Sequence, residues 1–209
     1  MLMLGLDTAT PAVTVALCDG DRVLAESTAT DARRHGELLA PGIAAVLAEA
    51  GVSRSDLEAV AVGVGPGPFT GLRVGLVTAR TLAAVLGIPV LGVCTLDVLA
   101  LGSGLDGAFR VATDARRKEV YWAAYEGTSR VDGPHVARPA DVAWDGPVVG
   151  EGAALYPQAF PDGRKPLRPS AGVLCRWVAA GLPTLEPQPL YLRRPDAAEP
   201  AGRKRVLEP

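Results

Sequence analysis

Leu2-Met3-Leu4-Gly5-Leu6-Asp7-Thr8-Ala9-Thr10-Pro11-Ala12-Val13-Thr14-Val15-Ala16-Leu17 opens the chain, and this stretch decides the fold. Leu2–Leu6 is apolar apart from Gly5, the pattern of a central strand buried on both faces. Asp7–Pro11 interrupts it as a polar turn, Val13–Leu17 resumes as a strand, Asp19-Gly20-Asp21 makes a hairpin turn and Arg22–Ser27 runs back. Three consecutive antiparallel strands are therefore predicted. The second half repeats the theme with Phe109–Thr113, a turn at Asp114-Ala115-Arg116-Arg117, and Glu119–Tyr125. A strand, an Asp-bearing turn and a strand at the head of each half imply a duplicated α/β unit with mixed sheets flanked by helices. No GxGxxG follows the first strand, so the pattern is not that of a dinucleotide-binding fold.

Between the two hairpins the period changes. Leu39, Ile43, Val46, Leu47 and Ala50 fall on one face of a helix over Glu37–Ala50, which Gly51 stops. Pro41 fits such a helix only near its first turn or as a kink. Ser53-x-x-Asp56 resembles a short N-terminal cap. Ala59–Val64 is a buried strand. A second helix runs from Thr70, a plausible N-cap, to Leu86, with Gly87 at its end. Pro89–Val93 is a strand, and Thr95 is placed to cap a short helix through Leu101. Ser103–Gly107 separates an N-terminal unit (1–102) from a smaller C-terminal one (108–194). The latter adds a strand at Pro147–Val149, a helix at Ala171–Ala180 and a strand at Leu190–Leu192. Residues 195–209, rich in proline and charge, are expected to be a disordered tail.

Composition narrows the function classes. The 209 residues are 48% hydrophobic and 21% charged, with a formal net charge of −2. That balance disfavours a strong autonomous nucleic-acid binder, which needs clustered Lys and Arg to release counterions. No window approaches the length of an uninterrupted apolar span, and the first residues lack the basic start of a signal peptide, so no membrane association is expected. Cys18, Cys94 and Cys175 are odd in number and without CxxC spacing, as for reduced thiols in a cytoplasmic protein.

Four features could carry chemistry. Asp7-Thr8-Ala9-Thr10, at a strand end, could hold a metal or phosphate, or be a turn that satisfies its own backbone. Gly65-Pro66-Gly67-Pro68-Phe69-Thr70-Gly71 leads a strand into a helix. It lacks the Lys-Ser/Thr of a P-loop, and its prolines remove amide donors that a phosphate would need. Gly71, Gly75, Ala79 and Ala83 then recur every four residues, a smooth helix face for either a partner helix or the protein's own sheet. His35 and His135 have no helical His partner, so a di-histidine metal site cannot be built on a helix. Glu119–Tyr125 alternates as a half-exposed aromatic strand that could stack bases or line a core.

In order along the chain, Asp7-Thr8-Ala9-Thr10, His35, Gly65-Pro66-Gly67-Pro68-Phe69-Thr70-Gly71-Leu72-Arg73, Val93-Cys94-Thr95-Leu96-Asp97, Asp114-Ala115-Arg116 with Glu119-Val120-Tyr121, and Pro189-Leu190-Tyr191-Leu192-Arg193 resemble the TsaB family, also called YeaZ. The resemblance covers residues 1–194, with Pro68 where the family usually has Ser. It implies the actin/Hsp70/sugar-kinase fold of two similar α/β subdomains. It also implies a role as a non-catalytic, activating scaffold. Such a subunit works with a TsaD-type protein and a TsaE-type ATPase, which move threonylcarbamoyl from its adenylate to N6 of the adenosine beside the anticodon of tRNAs reading ANN codons. In that arrangement ATP and metal sit in the partner subunits and tRNA is met only indirectly. This chain then carries no catalytic, cofactor or metal residue. Docking falls to the first two long helices, through His35, Leu39, Ile43, Leu47, Gly71, Arg73, Gly75, Ala79 and Ala83; the same surface can close a homodimer. The residues agree on one point: Ala9 and Asp114-Ala115-Arg116 offer no glycine where actin-type phosphate loops need it. An actin-fold ATPase or kinase and a glycoprotease-like peptidase are the rival functions.

Overall fold

The computed structural model describes residues 1–31 and 33–193, so the expected tail at 195–209 lies outside the described residues. The chain builds two five-stranded mixed sheets. The first contains β1 (Leu2–Asp7), β2 (Ala12–Asp19), β3 (Arg22–Thr30), β4 (Ala59–Gly63) and β5 (Val90–Val93), in the order β3-β2-β1-β4-β5. β1 pairs antiparallel with β2, Leu4 opposite Leu17, and parallel with β4, Leu4 opposite Val60. The three antiparallel strands predicted at the N-terminus are therefore present, with β1 at the centre.

Period-two alternation sends each side of this sheet to its own core. Leu4, Leu6, Val13, Val15 and Leu17 meet α1 (His35–Ala50) and α2 (Phe69–Leu86), while Met3, Ala16 and Cys18 meet the opposite layer. α1 carries Pro41 in its interior and ends at Gly51 with φ 65°. Ser53 and Asp56 form the expected capping box, on a single 3₁₀ turn. α2 is long and apolar enough to cross a membrane by length and composition, but its inward face lies on β1 and β4. It starts one residue before the expected cap: Pro68 is the N-cap, without a side-chain hydrogen bond, and Thr70 sits exposed in the first turn.

The second sheet is made of β6 (Ala108–Asp114), β7 (Val120–Glu126), β8 (Ser129–Ala137), β9 (Val148–Val149) and β10 (Gly163–Arg164), ordered β10-β9-β6-β7-β8. α3 (Thr95–Ser103) fills the space between the sheets, where Leu96, Leu99 and Ala100 pack on Phe109, Val111 and Tyr125. α4 (Glu151–Leu155) brings Ala153 onto the far face, beside Phe160 and Val148.

Two expectations need correction. Residues 108–194 do not form one contiguous second unit, because α5 (Ala171–Ala179) returns to the first sheet. The Ala171 amide donates to Thr14 Oγ1 over 3.1 Å, and Cys175 and Trp177 join Met3 and Cys18 in one core. Gly5 permits this approach: a Cβ there would lie 2.5 Å from Cys175 Sγ and 2.8 Å from the Ala171 carbonyl. The predicted strand at Leu190–Leu192 is not a strand; the segment makes one ladder-like bond, Leu190 N to Val64 O at 2.9 Å. The three cysteines are free and buried.

Candidate functional site

The turns of both hairpins and the β4–α2 loop converge where the two sheets meet. Asp7 ends β1 and is wholly buried. One carboxylate oxygen accepts from the Ala9 amide at 2.7 Å and the other from Thr95 Oγ1 at 2.7 Å. Burial pushes its carboxyl from the ordinary 3.8 to about 6, against the lowering effect of these two bonds and of nearby His35. Of the alternatives open for this turn, the geometry is that of one satisfying its own neighbours. Thr95, expected as a helix cap, instead begins α3 after the N-cap Cys94 and spends its hydroxyl on Asp7.

Thr8 holds α2 in place. Its hydroxyl donates to Gly71 O at 2.7 Å and accepts from Gly75 N at 3.0 Å. A Cβ at Gly71 would lie 2.7 Å from Thr8 O, and one at Gly75 would overlap Thr8 Oγ1. The stripe Gly71, Gly75, Ala79 and Ala83 is buried against β1 and β4, so it is not an exposed docking face. His35, also expected at an interface, is 8% exposed and donates from Nε2 to Thr10 O at 2.8 Å. On α1, Leu39 is buried and Ile43 and Leu47 are half-buried against the same core. Of the predicted docking residues, Arg73 alone is exposed.

The outward faces of these helices carry different residues. α1 exposes Ala40, Pro41, Ala44, Ala45 and Ala48. α2 exposes Val77 (62%) and Val85 (78%), which with Arg80, Thr81 and Ala84 border a shallow hollow of about 580 Å³. Exposed valines two helical turns apart were legible in the sequence only as the face opposite the small-residue stripe.

The β6–β7 turn faces the β4–α2 loop. Asp114 Oδ1 accepts from Arg116 N at 2.8 Å, and Ala115 N donates to Glu119 O at 3.0 Å. Arg193 donates to Ala115 O at 2.7 Å and pairs with Glu119. Arg116, Arg117 and Lys118 have φ of 60°, 56° and 60°. Gly67 approaches the Ala9 carbonyl so closely that any Cβ would overlap it, and Phe69 stacks on Tyr191 with centroids 5.2 Å apart. Tyr121 and Arg116 line the hollow between these loops, so the motif residues of both halves do come together. Among the described residues no three His, Cys, Asp or Glu side chains gather as a metal cluster.

One polar network was missed in the sequence. Asp97 on α3 accepts from Tyr125 Oη at 2.7 Å and pairs with Arg130 at 3.2 Å, joining α3 to β7 and β8. An acid in the first turn of a helix was its only local signal, and it pointed equally to a helix-dipole role.

Comparison with known proteins gives consistent matches. The family described as TsaD, tRNA N6-adenosine threonylcarbamoyltransferase, matches residues 22–184. An uncharacterized protein of Mycobacterium tuberculosis is 47% identical over 205 residues, covering 93% of each chain. The tRNA threonylcarbamoyladenosine biosynthesis protein TsaB of Escherichia coli is 42% identical over 129 residues, 60% of this chain and 55% of that one. The structure of YeaZ from Pseudomonas aeruginosa superposes with a TM-score of 0.77 at 31% identity, over 91% of this chain and 100% of that one. With its two mixed five-stranded sheets flanked by helices, the chain belongs to the TsaB (YeaZ) family.

Proposed function

We propose that this chain is the accessory subunit of a tRNA threonylcarbamoyladenosine-forming assembly. It would activate a TsaD-type transferase working with a TsaE-type ATPase, and perform no chemistry of its own. The observation that carries the reading is the likeness to proteins named for that biosynthesis, of which the E. coli TsaB shares 42% identity over 129 residues. The site supports the accessory role. Asp7, the carboxylate where an actin-type fold would hold metal and phosphate, has both oxygens engaged internally and is closed from solvent. Arg116 and Arg117 stand in the second turn, where a phosphate would need close backbone. In this reading ATP and metal belong to the partner subunits, and the assembly works in the cytoplasm.

The docking surface moves from the small-residue stripe to the outward faces of α1 and α2. Alanines and Pro41 on one helix and Val77, Ala84 and Val85 on the other make an apolar surface with few charges. A second copy of the chain can use the same surface when the partner is absent. The test is reconstitution with TsaD-type and TsaE-type proteins, ATP, threonine-derived donor and unmodified tRNA. Threonylcarbamoyladenosine should form with this chain present and fall at least tenfold without it. Equal product in its absence would overturn the proposal.

A further inference from the structure

The two hollows at the junction share Pro68 and Arg116, and together they measure about 190 and 420 Å³. Arg33, Arg116, Arg117 and Arg193 line them, and no carboxylate does. Two carboxylates stand behind them, Asp114 paired with Arg116 at 3.3 Å and Glu119 paired with Arg193, so the hollows are lined by cationic side chains backed by acids on the same turn.

The backbone strengthens the point. Arg116, Arg117 and Lys118 all adopt the left-handed region, which is disfavoured for any residue with a Cβ and natural for glycine. All three side chains are exposed, so core packing does not hold them in this conformation. Hydrogen bonds at both ends, from Arg116 N to Asp114 Oδ1 and from Glu119 N to Arg116 O, fix the turn. Arg116 and Arg117 line the cleft, whereas Lys118 borders a separate hollow beside Arg138 and Tyr156.

An aromatic wall stands opposite. Phe69 and Tyr191 are each 37% exposed and stacked on one another, and Tyr191 Oη accepts from Arg73 Nε at 2.9 Å. Arg73 also lies 3.6 Å above the Phe69 ring. Arginines beside exposed aromatic rings are the combination that holds single-stranded nucleic acid, through phosphate contacts and base stacking.

We infer that this cleft contacts RNA directly, with backbone phosphates on Arg116 and Arg117 and an unpaired base against the Phe69–Tyr191 wall. The inference rests on the proposed role in tRNA modification and adds a contact beyond the indirect one expected from the sequence. RNA fits better than an acidic protein because the aromatic wall gives an unpaired base a stacking surface. It fits better than a mononucleotide because Pro66 and Pro68 remove amide donors from the facing loop.

The test is fluorescence anisotropy of a labelled anticodon stem-loop RNA titrated with the full chain over a range of salt. The double variant Arg116→Gly, Arg117→Gly suits the positive φ values, so its melting temperature should be unchanged or raised. Its affinity should fall roughly tenfold and its salt slope by about 1.4, at about 0.7 per single-strand phosphate contact. Wild-type affinity and slope in this folded variant would overturn the inference, as would no binding by the wild type at low salt. Equal displacement by ATP or inorganic phosphate would make it a small-anion site, and equal displacement by polyglutamate an acidic-protein site; either also overturns it. Because binding is read without the partner proteins, a chain needed for modification that ignores RNA sinks this inference alone. A chain that binds RNA but is dispensable for modification sinks the proposed function instead.

Discussion

Thr95 Oγ1 donates to Asp7 Oδ2 across 2.7 Å, tying the end of the central strand to the first residue of the helix between the sheets. The bond spans 88 positions in sequence and is closed from solvent. It places a carboxyl group where charge is costly and where its proton therefore matters to stability.

Burial raises the Asp7 carboxyl from 3.8 to about 6, so the folded state binds this proton more tightly than the unfolded chain does. The resulting stability is fully present below about pH 3.8 and is lost as pH rises through about 6. Asp7→Asn keeps the shape and removes the titration. Between about pH 4 and about pH 8 the wild type should lose about 2 kcal/mol relative to that variant. Urea unfolding of both proteins across that range checks it, and a constant difference between them would show that Asp7 does not titrate there.

The contact between Thr8 and Gly75 sets a second expectation. A Cβ at Gly75 overlaps Thr8 Oγ1, so Gly75→Ala must push α2 off the sheet or break the Thr8 bonds to Gly71 and Gly75. Overpacking of this kind costs about 1–3 kcal/mol. Val77→Ala, two residues away on the exposed face, should stay within about 0.5 kcal/mol of wild type. Comparison of the two denaturation midpoints separates an inward stripe from an outward one.

That stripe shows where the sequence stopped being legible. Gly71, Gly75, Ala79 and Ala83 announce close approach of something, but a four-residue period does not say whether a sheet or another chain approaches. The opening strands were readable because Leu2–Leu6 is continuously apolar and Asp19-Gly20-Asp21 is a strong local turn signal. β8 was not, because it is an edge strand containing Arg130, Asp132, Gly133, Pro134 and His135 and has no apolar run. The helix at Ala171 was found, but its return to the first sheet depends on Gly5 and Thr14, far back in the chain. At the site, the Asp-bearing turns were recognised from their residue types. The Asp7–Thr95 and Asp97–Tyr125 bonds join distant segments that leave no local pattern.

Asp97 gives a third prediction. Its buried carboxylate is shared between Tyr125 Oη and Arg130, while Tyr125 also stacks on Phe109 with centroids 5.5 Å apart. Tyr125→Phe keeps the stacking and the ion pair, and should cost about 1.5–3 kcal/mol for one hydrogen bond to a charged group. Arg130→Ala leaves a buried carboxylate without its cation and should cost more, about 3–5 kcal/mol near neutral pH. Burial already raises the Asp97 carboxyl and Arg130 lowers it, so removing Arg130 raises it further. The Arg130→Ala deficit should therefore shrink as pH falls and Asp97 becomes protonated, which unfolding at acid and neutral pH would reveal.

The last prediction concerns the helix faces that remain open. Val77 and Val85 are 62% and 78% exposed, eight residues apart on the outward side of α2. If a TsaD-type partner or a second copy covers them, each valine moves from water into an apolar contact, and a carboxylate there would be buried unpaired. Val77→Asp with Val85→Asp should leave the melting temperature within a few degrees, since neither side chain is in the core. Association with the TsaD-type partner should weaken at least a hundredfold, about 3 kcal/mol, as for removal of central interface contacts. Titration calorimetry with the purified partner measures that loss, and analytical ultracentrifugation of the variant alone reads out self-association. Full affinity in the folded double variant would move the docking surface off α2, whereas loss of partner binding alone would separate the heterodimer surface from any homodimer.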